Sequence, residues 1–416
     1  MRGQVCIMKA LLILLCVALA EAKSYSNYHL LRVRPQTEAQ LTTLKLLSAE
    51  ETGLEIDFWI RPYYLNRTCE FLVSLETYMK IKPILAGVGL KVEILSHDIQ
   101  KAIDAERTPS GNSTEYGYQL NPDTFMKYSE IVVLMKRYTH VHNHVTLVSY
   151  GTSYEKRELY AIRFTTGPGK KTVFVEAGMH AREWIGTASV MKIIERFAND
   201  YDSDTDIIHL LSLYDWVFIP CSNPDGYEYT FYQDRMWRKN RKPNNRCMGT
   251  DLNRNFDAGW SGEGSSSFEC SLTFHGSRAL SEPESEALVR FIKSAGPLIG
   301  FFSIHSYSQF IMPPYGFTRQ KPKDSEELTK LAYKAARAIT QATGSYFTVG
   351  TPPELLYVAG GGVYDWVKLK HQAKYSYAME LRPKHNTRNG FILSPLNIKP
   401  SSVELFAALK TFADGF

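Results

Sequence analysis

The chain has 416 residues, of which 44% are hydrophobic and 22% are charged, and its formal net charge is only +5. This length suggests two domains, and the composition is ordinary for a globular protein. The one dense basic block is "RMWRKNRK" at 235–242, so charge does not favour a nucleic-acid partner.

The N-terminus carries an apolar run at residues 10–20, which follows Arg2 and Lys9 and ends in the pattern Ala20-x-Ala22. This pattern is typical of a secretory signal peptide, and we expect residues 1–22 to be removed after Ala22. No later run approaches the roughly 20 apolar residues of a membrane helix. We therefore expect a secreted, extracellular protein without a membrane segment, and a monomer by default.

Export permits disulfide bonds, and four of the six cysteines lie beyond the expected signal peptide. Four cysteines allow three pairings, among which sequence cannot choose. Cys247 and Cys270 flank a loop rich in Gly, Ser and Asn, which favours them as a pair. Cys221 ends an apolar run and is expected to be a buried thiol, and Cys69 is expected to stay unpaired.

Residues 23–107 are predicted to form a small α+β domain. Strands are expected at 28–35, 54–62, 69–74 and 90–95, and helices at 38–51 and 75–89. The order β-α-β-β-α-β is that of the ferredoxin-like fold. A further helical stretch, 97–107, leads out of this domain.

The segment that follows, "TPSGNSTEYG", is typical of a loop between domains, where proteolysis is favoured. A trypsin-like protease would cleave after Arg107 and leave Thr108 as the new N-terminus. The same loop carries a glycosylation sequon at Asn112, and a second sequon lies at Asn66.

Residues 108–416 alternate between strand-like and helix-like segments. Strands are expected at 145–151, 159–166, 171–178, 215–221, 299–306 and 374–381, and helices at 187–200, 282–295, 325–343 and 401–415. This alternation predicts an α/β domain with a mixed or parallel central sheet and helices on both faces. Ligands of such sheets gather at the carboxyl ends of the strands.

Three groups that can bind a metal follow apolar strands. His180 and Glu183 come after one strand, and His305 ends another. Two imidazoles and one carboxylate form the ligand set of a catalytic zinc site. Glu380 ends a third strand and could accept a proton from water there. The alternatives are a polar turn at 180–183, a hydrogen-bonded interior His305, and an ion pair of Glu380 with Arg382.

Seven segments extend this pattern along the chain: "HAREW", "NPDGYEYT", "MWRKNR", "DLNRNFD", "HSYSQ", "LLYVAGGGVYDW" and "YAMELR". In order and context they resemble the secreted zinc carboxypeptidases of the pancreatic A/B type. The resemblance covers all of 108–416 and, more weakly, 23–107. It implies the zinc carboxypeptidase fold, one Zn²⁺ per chain, and hydrolysis of the C-terminal peptide bond of peptides and proteins.

The resemblance also implies synthesis as a zymogen, in which an inhibitory propeptide at 23–107 covers the active site. The implied partners are peptide and protein C-termini, an activating trypsin-like protease and protein inhibitors. Residue roles carry over as follows: zinc ligands His180, Glu183 and His305; general base Glu380; oxyanion-binding Arg238; carboxylate-binding Asn253 and Arg254; closing residue Tyr357; and substrate-binding Arg182 and Tyr307.

In this family, the preference for the C-terminal side chain of the substrate depends on the residue at the floor of a pocket. Tyr364 aligns with that residue. An acidic residue there would favour terminal Lys or Arg, and an aliphatic one would favour apolar residues; tyrosine is neither. The neighbours expected around it carry no negative charge, so we predict hydrophobic or aromatic C-terminal residues. A different preference, for example for smaller aliphatic residues, and an inactive relative that binds C-termini remain the alternatives. The expected neighbours are Ser303, Met312, Leu356, Ala359 and Ala378.

Overall fold

The structure, a computed structural model, describes residues 22–49, 52–107, 120–385, 387 and 390–416. The expected signal sequence up to Glu21, the new N-terminus at Thr108 and the sequon at Asn112 lie outside these residues. We refer to residues 22–107 as the N-terminal unit and to residues 120–416 as the C-terminal region.

The N-terminal unit has the predicted β-α-β-β-α-β order, followed by a third helix. Its four strands form an antiparallel sheet in the order β2-β3-β1-β4, which confirms the ferredoxin-like arrangement. The strands are β1 Tyr28–Val33, β2 Ile56–Ile60, β3 Cys69–Ser74 and β4 Val92–Ser96, and the helices are α1 Glu38–Leu47, α2 Leu75–Gly87 and α3 Ile99–Arg107.

The two faces of this small sheet are buried by different partners. One face packs against α1 and α2 through residues such as Leu31, Phe71 and Ile81. The other face carries Leu30 and Leu72, which form a cluster with α3 and with side chains of the C-terminal region. The N-terminal unit therefore lies on the C-terminal region through an apolar contact, and this contact contributes to holding it there.

The C-terminal region contains an eight-stranded mixed sheet in the order β11-β10-β12-β9-β7-β8-β6-β5. Its four central strands, β12, β9, β7 and β8, run parallel, and antiparallel pairs flank them. The strands are β5 Val145–Thr152, β6 Glu158–Phe164, β7 Lys171–Ala177, β8 Tyr214–Ile219, β9 Leu298–Ser308, β10 Phe310–Met312, β11 Thr348–Val349 and β12 Tyr375–Lys384.

Helices cover both faces of this sheet, as predicted. One apolar cluster joins the sheet to α4, α5, α6, α9 and α12, and a second joins it to α8 and α11. The helices are α4 Tyr128–Val141, α5 Trp184–Asn199, α6 Thr205–Leu213, α7 Pro224–Tyr232, α8 Pro283–Ser294, α9 Ser325–Thr343, α10 Pro352–Leu355, α11 Val363–Trp366 and α12 Ile398–Ala413. Within the described ranges, no helix combines the length and apolar character needed to cross a bilayer.

The cysteines follow the predicted pattern. Cys247 and Cys270 form a disulfide with an S–S distance of 2.01 Å and a Cα–Cα distance of 5.0 Å. Cys69 and Cys221 are buried free thiols. The bond closes a loop of the C-terminal region next to the basic segment 235–242.

Candidate metal centre and active-site cleft

Three side chains that can bind a metal converge at the carboxyl ends of two neighbouring parallel strands. β7 ends at Ala177, and the turn before α5 carries His180 and Glu183, while His305 lies on β9. His180 Nδ1 lies 2.8 Å from Glu183 Oε1, and His305 Nδ1 lies 3.0 Å from Glu183 Oε2. All three residues are buried, and one ligand atom from each lies within 4.8 Å of the others.

The groups behind the two imidazoles orient them toward one point. The Nε2 atom of His180 lies 3.1 Å from Asp251 Oδ1, and the Nε2 atom of His305 lies 3.0 Å from Ser303 Oγ. Ser303 in turn donates a hydrogen bond to the buried carboxylate of Glu176. Contacts of this kind fix the ring tautomer and leave Nδ1 of each ring available as a ligand.

Glu183 has the charge that a divalent cation needs. Burial opposes its ionisation, but the two imidazoles outweigh burial and hold the pKa of its carboxyl group well below the usual range. With both imidazoles deprotonated, as metal binding requires, this carboxylate and the two Nδ1 atoms form a ligand set that zinc prefers. The donors present therefore fit a zinc ion.

Glu380 lies beside these ligands on β12, where the strand register places it opposite His305. Its Oε2 atom is buried and has no hydrogen-bond partner among the described residues. Burial raises the pKa of this carboxyl group to about 8, and the nearby charge of Glu183 adds to the effect. A carboxyl group in this position is poised to exchange a proton with a neighbouring water.

A guanidinium group borders the same space. Arg238 donates to Asp251 Oδ2 from Nε at 3.1 Å and from Nη2 at 2.8 Å, and its Nη1 lies 3.8 Å from Glu183 Oε1. Asp251 also contacts His180, so this one carboxylate positions both the expected zinc ligand His180 and the expected oxyanion-binding residue Arg238. The sequence-based interpretation did not single out Asp251, although it opens the quoted segment "DLNRNFD".

A second group of polar side chains, Asn253, Arg254 and Tyr357, lines the same cleft. Arg254 donates from Nη2 to the hydroxyl of Tyr357 at 2.8 Å and from Nε to the carbonyl of Gly264 at 3.0 Å. The side-chain Nδ2 of Asn253 lies 3.2 Å from His305 Nε2, and its side-chain Oδ1 accepts a hydrogen bond from the backbone N–H of Val363. The structure thus brings Asn253, Arg254 and Tyr357 together beside the metal centre.

The part of the cleft around Tyr364 is lined mainly by apolar side chains. Four of the five expected neighbours of Tyr364 line the cleft with it: Met312, Leu356, Ala359 and Ala378. The fifth, Ser303, pairs with Ala378 in the sheet but is not among the residues that line the cleft; its hydroxyl contacts His305 and Glu176. The Tyr364 ring is buried, and its hydroxyl reaches the backbone of Gly316, where a Cβ atom would come within 2.6 Å of it. Tyrosine therefore shortens the pocket.

The N-terminal unit covers this cleft. Tyr63 stacks on Tyr357 with a centroid distance of 4.2 Å, Asp57 Oδ2 lies 2.6 Å from Arg182 Nη1, and Tyr307 donates to Glu70 Oε2 at 2.6 Å. Arg182, expected to line the outer part of the site, is thus buried under this unit. Seven of its residues line the cleft: Trp59, Ile60, Arg61, Tyr63, Tyr64, Arg67 and Thr68.

The expected cleavage point lies at the end of α3. Arg107 is exposed, and its Nη2 donates to the carbonyl of Thr230 at 3.2 Å. The preceding residue, Glu106, is buried and binds Arg235 through both carboxylate oxygens, at 2.6 and 2.9 Å. The last turn of α3 is therefore attached to the C-terminal region.

Two family models match the chain in the order that this arrangement suggests. The model of the carboxypeptidase activation peptide matches residues 31–106, and the model of the zinc carboxypeptidase domain matches residues 131–408. The chain belongs to the zinc carboxypeptidase family, and it is a metallocarboxypeptidase with an activation peptide.

Individual relatives match over nearly the whole length. Carboxypeptidase A2 of Rattus norvegicus is 36% identical over 397 residues, which cover 94% of each chain. Zinc carboxypeptidase A 1 of Anopheles gambiae is 32% identical over 410 residues, or 98% of this chain and 94% of the relative. The crystal structure of thrombin activatable fibrinolysis inhibitor has a TM-score of 0.85 at 30% identity, and that of the carboxypeptidase A from Helicoverpa armigera has 0.84 at 27%; each comparison covers 94% of this chain and 98% of the other.

Proposed function

We propose that this metallocarboxypeptidase removes C-terminal residues from peptides and proteins and prefers hydrophobic and aromatic side chains at that position. The observation that carries the proposal is that one cleft is lined by the His180–Glu183–His305 cluster, by Glu380 and Arg254, and by apolar side chains around Tyr364. Such a site can hold an apolar side chain, a free carboxylate and a peptide carbonyl at once.

In this proposal His180, Glu183 and His305 hold the Zn²⁺ ion. When bound, zinc supplies a Lewis acid that polarises a carbonyl and lowers the pKa of water. Glu380, whose Oε2 atom is buried and has no hydrogen-bond partner among the described residues, accepts the proton of the attacking water and passes it to the leaving amine. Arg238, which Asp251 holds in place, stabilises the negative charge that develops on the carbonyl oxygen.

Recognition of a free C-terminus is assigned to Asn253, Arg254 and Tyr357. A guanidinium binds a carboxylate through two parallel hydrogen bonds, which a lysine cannot do. Arg254 already contacts the Tyr357 hydroxyl, so a carboxylate that enters the pocket meets both groups. An esterified or amidated C-terminus would lose this ion pair and should be a poor substrate.

Metal content provides the first test. The matured protein is expected to contain one zinc per chain, and His305→Ala should lose most of it, because the ligand set is then reduced to two residues. Zinc is measured by elemental analysis after dialysis, and His140→Ala, at an exposed position on α4, serves as the matched control. An unchanged zinc content in His305→Ala would contradict the assignment.

The role of Tyr364 in specificity provides a second test. We expect the matured enzyme to release C-terminal Phe or Leu faster than Arg from otherwise identical peptides. Tyr364→Ile should raise kcat/KM for Phe relative to Leu by about 10-fold, because a deeper pocket accommodates more of a large ring. Tyr333→Ile, at an exposed position on α9, is the control. A wild-type preference for Arg would refute the proposed specificity.

We further propose the remaining features of the precursor. Residues 1–22 direct secretion, residues 23–107 form the inhibitory propeptide, and a trypsin-like protease cleaves between Arg107 and Thr108 to release the enzyme 108–416. The exposed Asn66 and the sequon at Asn112 are available for glycans in that compartment.

A protein inhibitor is a further proposed partner. Bovine thrombin-activatable fibrinolysis inhibitor, whose structure was determined in complex with a tick carboxypeptidase inhibitor, is 35% identical over 70% of this chain, with a TM-score of 0.66. Once the N-terminal unit has left, the cleft around Tyr357 and Arg254 would be open to an inhibitor of the same kind.

A further inference from the structure

The buried carboxylate of Glu176 has no part in the proposed hydrolysis, yet it contacts a residue that contacts His305. Glu176 is the next-to-last residue of β7, and the register of the sheet pairs it with Ser303 on β9. Both residues are fully buried. Each oxygen of the Glu176 carboxylate accepts a hydrogen bond from a hydroxyl group, Oε2 from Ser303 at 2.8 Å and Oε1 from Ser222.

The hydroxyl of Ser303 lies between Glu176 and His305. Its oxygen is 2.8 Å from Glu176 Oε2 and 3.0 Å from His305 Nε2. A hydroxyl group has one hydrogen to donate and two lone pairs that accept. When the hydrogen points to Glu176, a lone pair faces His305 and accepts a hydrogen bond from Nε2. When the hydrogen points to His305, Ser303 donates to Nε2 instead. The direction of this hydrogen therefore decides which ring nitrogen of a neutral His305 carries the proton.

Zinc binding requires the first of these two arrangements. The proposed ligand atom is Nδ1 of His305, which faces Glu183 at 3.0 Å, so Nδ1 must carry no hydrogen and the proton of the neutral ring must lie on Nε2. Among the described residues, Nε2 has two polar neighbours, Ser303 Oγ at 3.0 Å and Asn253 Nδ2 at 3.2 Å. An amide nitrogen donates and does not accept, so of these two neighbours Ser303 alone can accept the hydrogen of Nε2.

We propose that Glu176 is a positioning residue for zinc: its carboxylate takes the hydrogen of Ser303, which keeps the proton of His305 on Nε2 and leaves Nδ1 free for the metal. In this arrangement Asn253 Nδ2 makes no hydrogen bond to the ring and stays available for a substrate carboxylate. The inference rests on the proposed function, in which His305 is a zinc ligand. Groups that act on a metal through its ligands commonly change its affinity by about 10- to 100-fold.

The test measures the zinc dissociation constant of the full chain, in competition with a chelator after metal removal. Glu176→Gln is expected to raise this constant about 10- to 100-fold, because the glutamine amide can donate to Ser303 Oγ and turn its hydrogen toward His305. Ser303→Ala should raise it by a similar factor, because the hydrogen of Nε2 then loses its acceptor. Ser222→Ala is the matched control. It removes the other hydroxyl from the same buried carboxylate but leaves Ser303 in place, so zinc should bind as in the wild type.

A double variant separates positioning from a general loss of structure. When Glu176 acts through the Ser303 hydroxyl, Glu176→Gln combined with Ser303→Ala should bind zinc no more weakly than Ser303→Ala alone. Two independent structural defects would instead add. The thermal unfolding transition of each metal-free variant establishes that the chains compared are folded.

Three outcomes would overturn this inference: wild-type zinc affinity in Glu176→Gln, additive effects in the double variant, or an equal loss of affinity in Ser222→Ala. Each of them is distinct from a failure of the proposed function, which His305→Ala reports. Full zinc content in His305→Ala would show that His305 is not a ligand and would overturn both.

Discussion

Replacement of Glu380 by glutamine is expected to lower kcat/KM of the matured enzyme by about 10²- to 10⁴-fold, the usual contribution of a general base. Glutamine has nearly the same shape as glutamate but cannot accept a proton at neutral pH. Glu380 is not one of the three converging ligands, so zinc should remain bound. The measurement combines hydrolysis of a peptide ending in Phe with zinc analysis of the same preparation.

Glu326→Gln, at an exposed position on α9, is the control for this substitution and should behave as the wild type. Retention of zinc together with activity within tenfold of the wild type would show that another group accepts the proton. Loss of zinc in Glu380→Gln would instead make Glu380 part of the metal site and would contradict its assignment.

Release of the N-terminal unit is expected to have an effect of similar size. The uncut chain should hydrolyse a pentapeptide at least about 10²-fold more slowly than the trypsin-cut chain, a difference of roughly 3 kcal/mol in activation free energy. The reason is steric as well as electrostatic: Tyr63 stacks on Tyr357 inside the cleft, and Asp57 holds Arg182. Initial rates before and after limited trypsin treatment measure the effect.

Two variants test whether activation requires cleavage at Arg107 and not at another basic residue of α3. Arg107→Gln should block activation by trypsin, whereas Lys101→Gln, at an exposed position on α3, should not. N-terminal sequencing of the product should begin at Thr108. Equal rates for cut and uncut chains would show that the N-terminal unit does not block the cleft in solution.

Most of the regular structure was predictable because it depends on local patterns. The strands β7, β9 and β12 are apolar over most of their length, as expected for strands buried on both faces, and long helices such as α9 repeat apolar residues at helical spacing. The prediction missed α4, α6, α7, α10, α11, β10 and β11. The strands β10 and β11 have only three and two residues, so they offer no period to detect.

The candidate site was predictable in part. The three ligands follow strands whose carboxyl ends meet, which is a general property of parallel sheets. Asp251, Glu176 and Ser303 were not singled out for their place behind the imidazoles, because a single carboxylate or hydroxyl has many possible partners in a sequence. Their contacts with His180 and His305 arise only when distant segments pack together.

By itself, the amino-acid sequence determined the long helices and most strands, the family resemblance and the candidate His₂Glu ligand set. It favoured the pair Cys247–Cys270 but did not decide it. These depend on neighbouring residues, on periodicity or on motifs. Only the tertiary structure decided which carboxylate faces which cation. Arg182 was expected to line the outer subsites, and in the structure it is buried against Asp57, which lies 125 positions earlier in the chain. Sequence periodicity identifies the apolar face of a helix or strand, but the burial and the partner of a charged side chain are decided by the packing of segments that are remote along the chain.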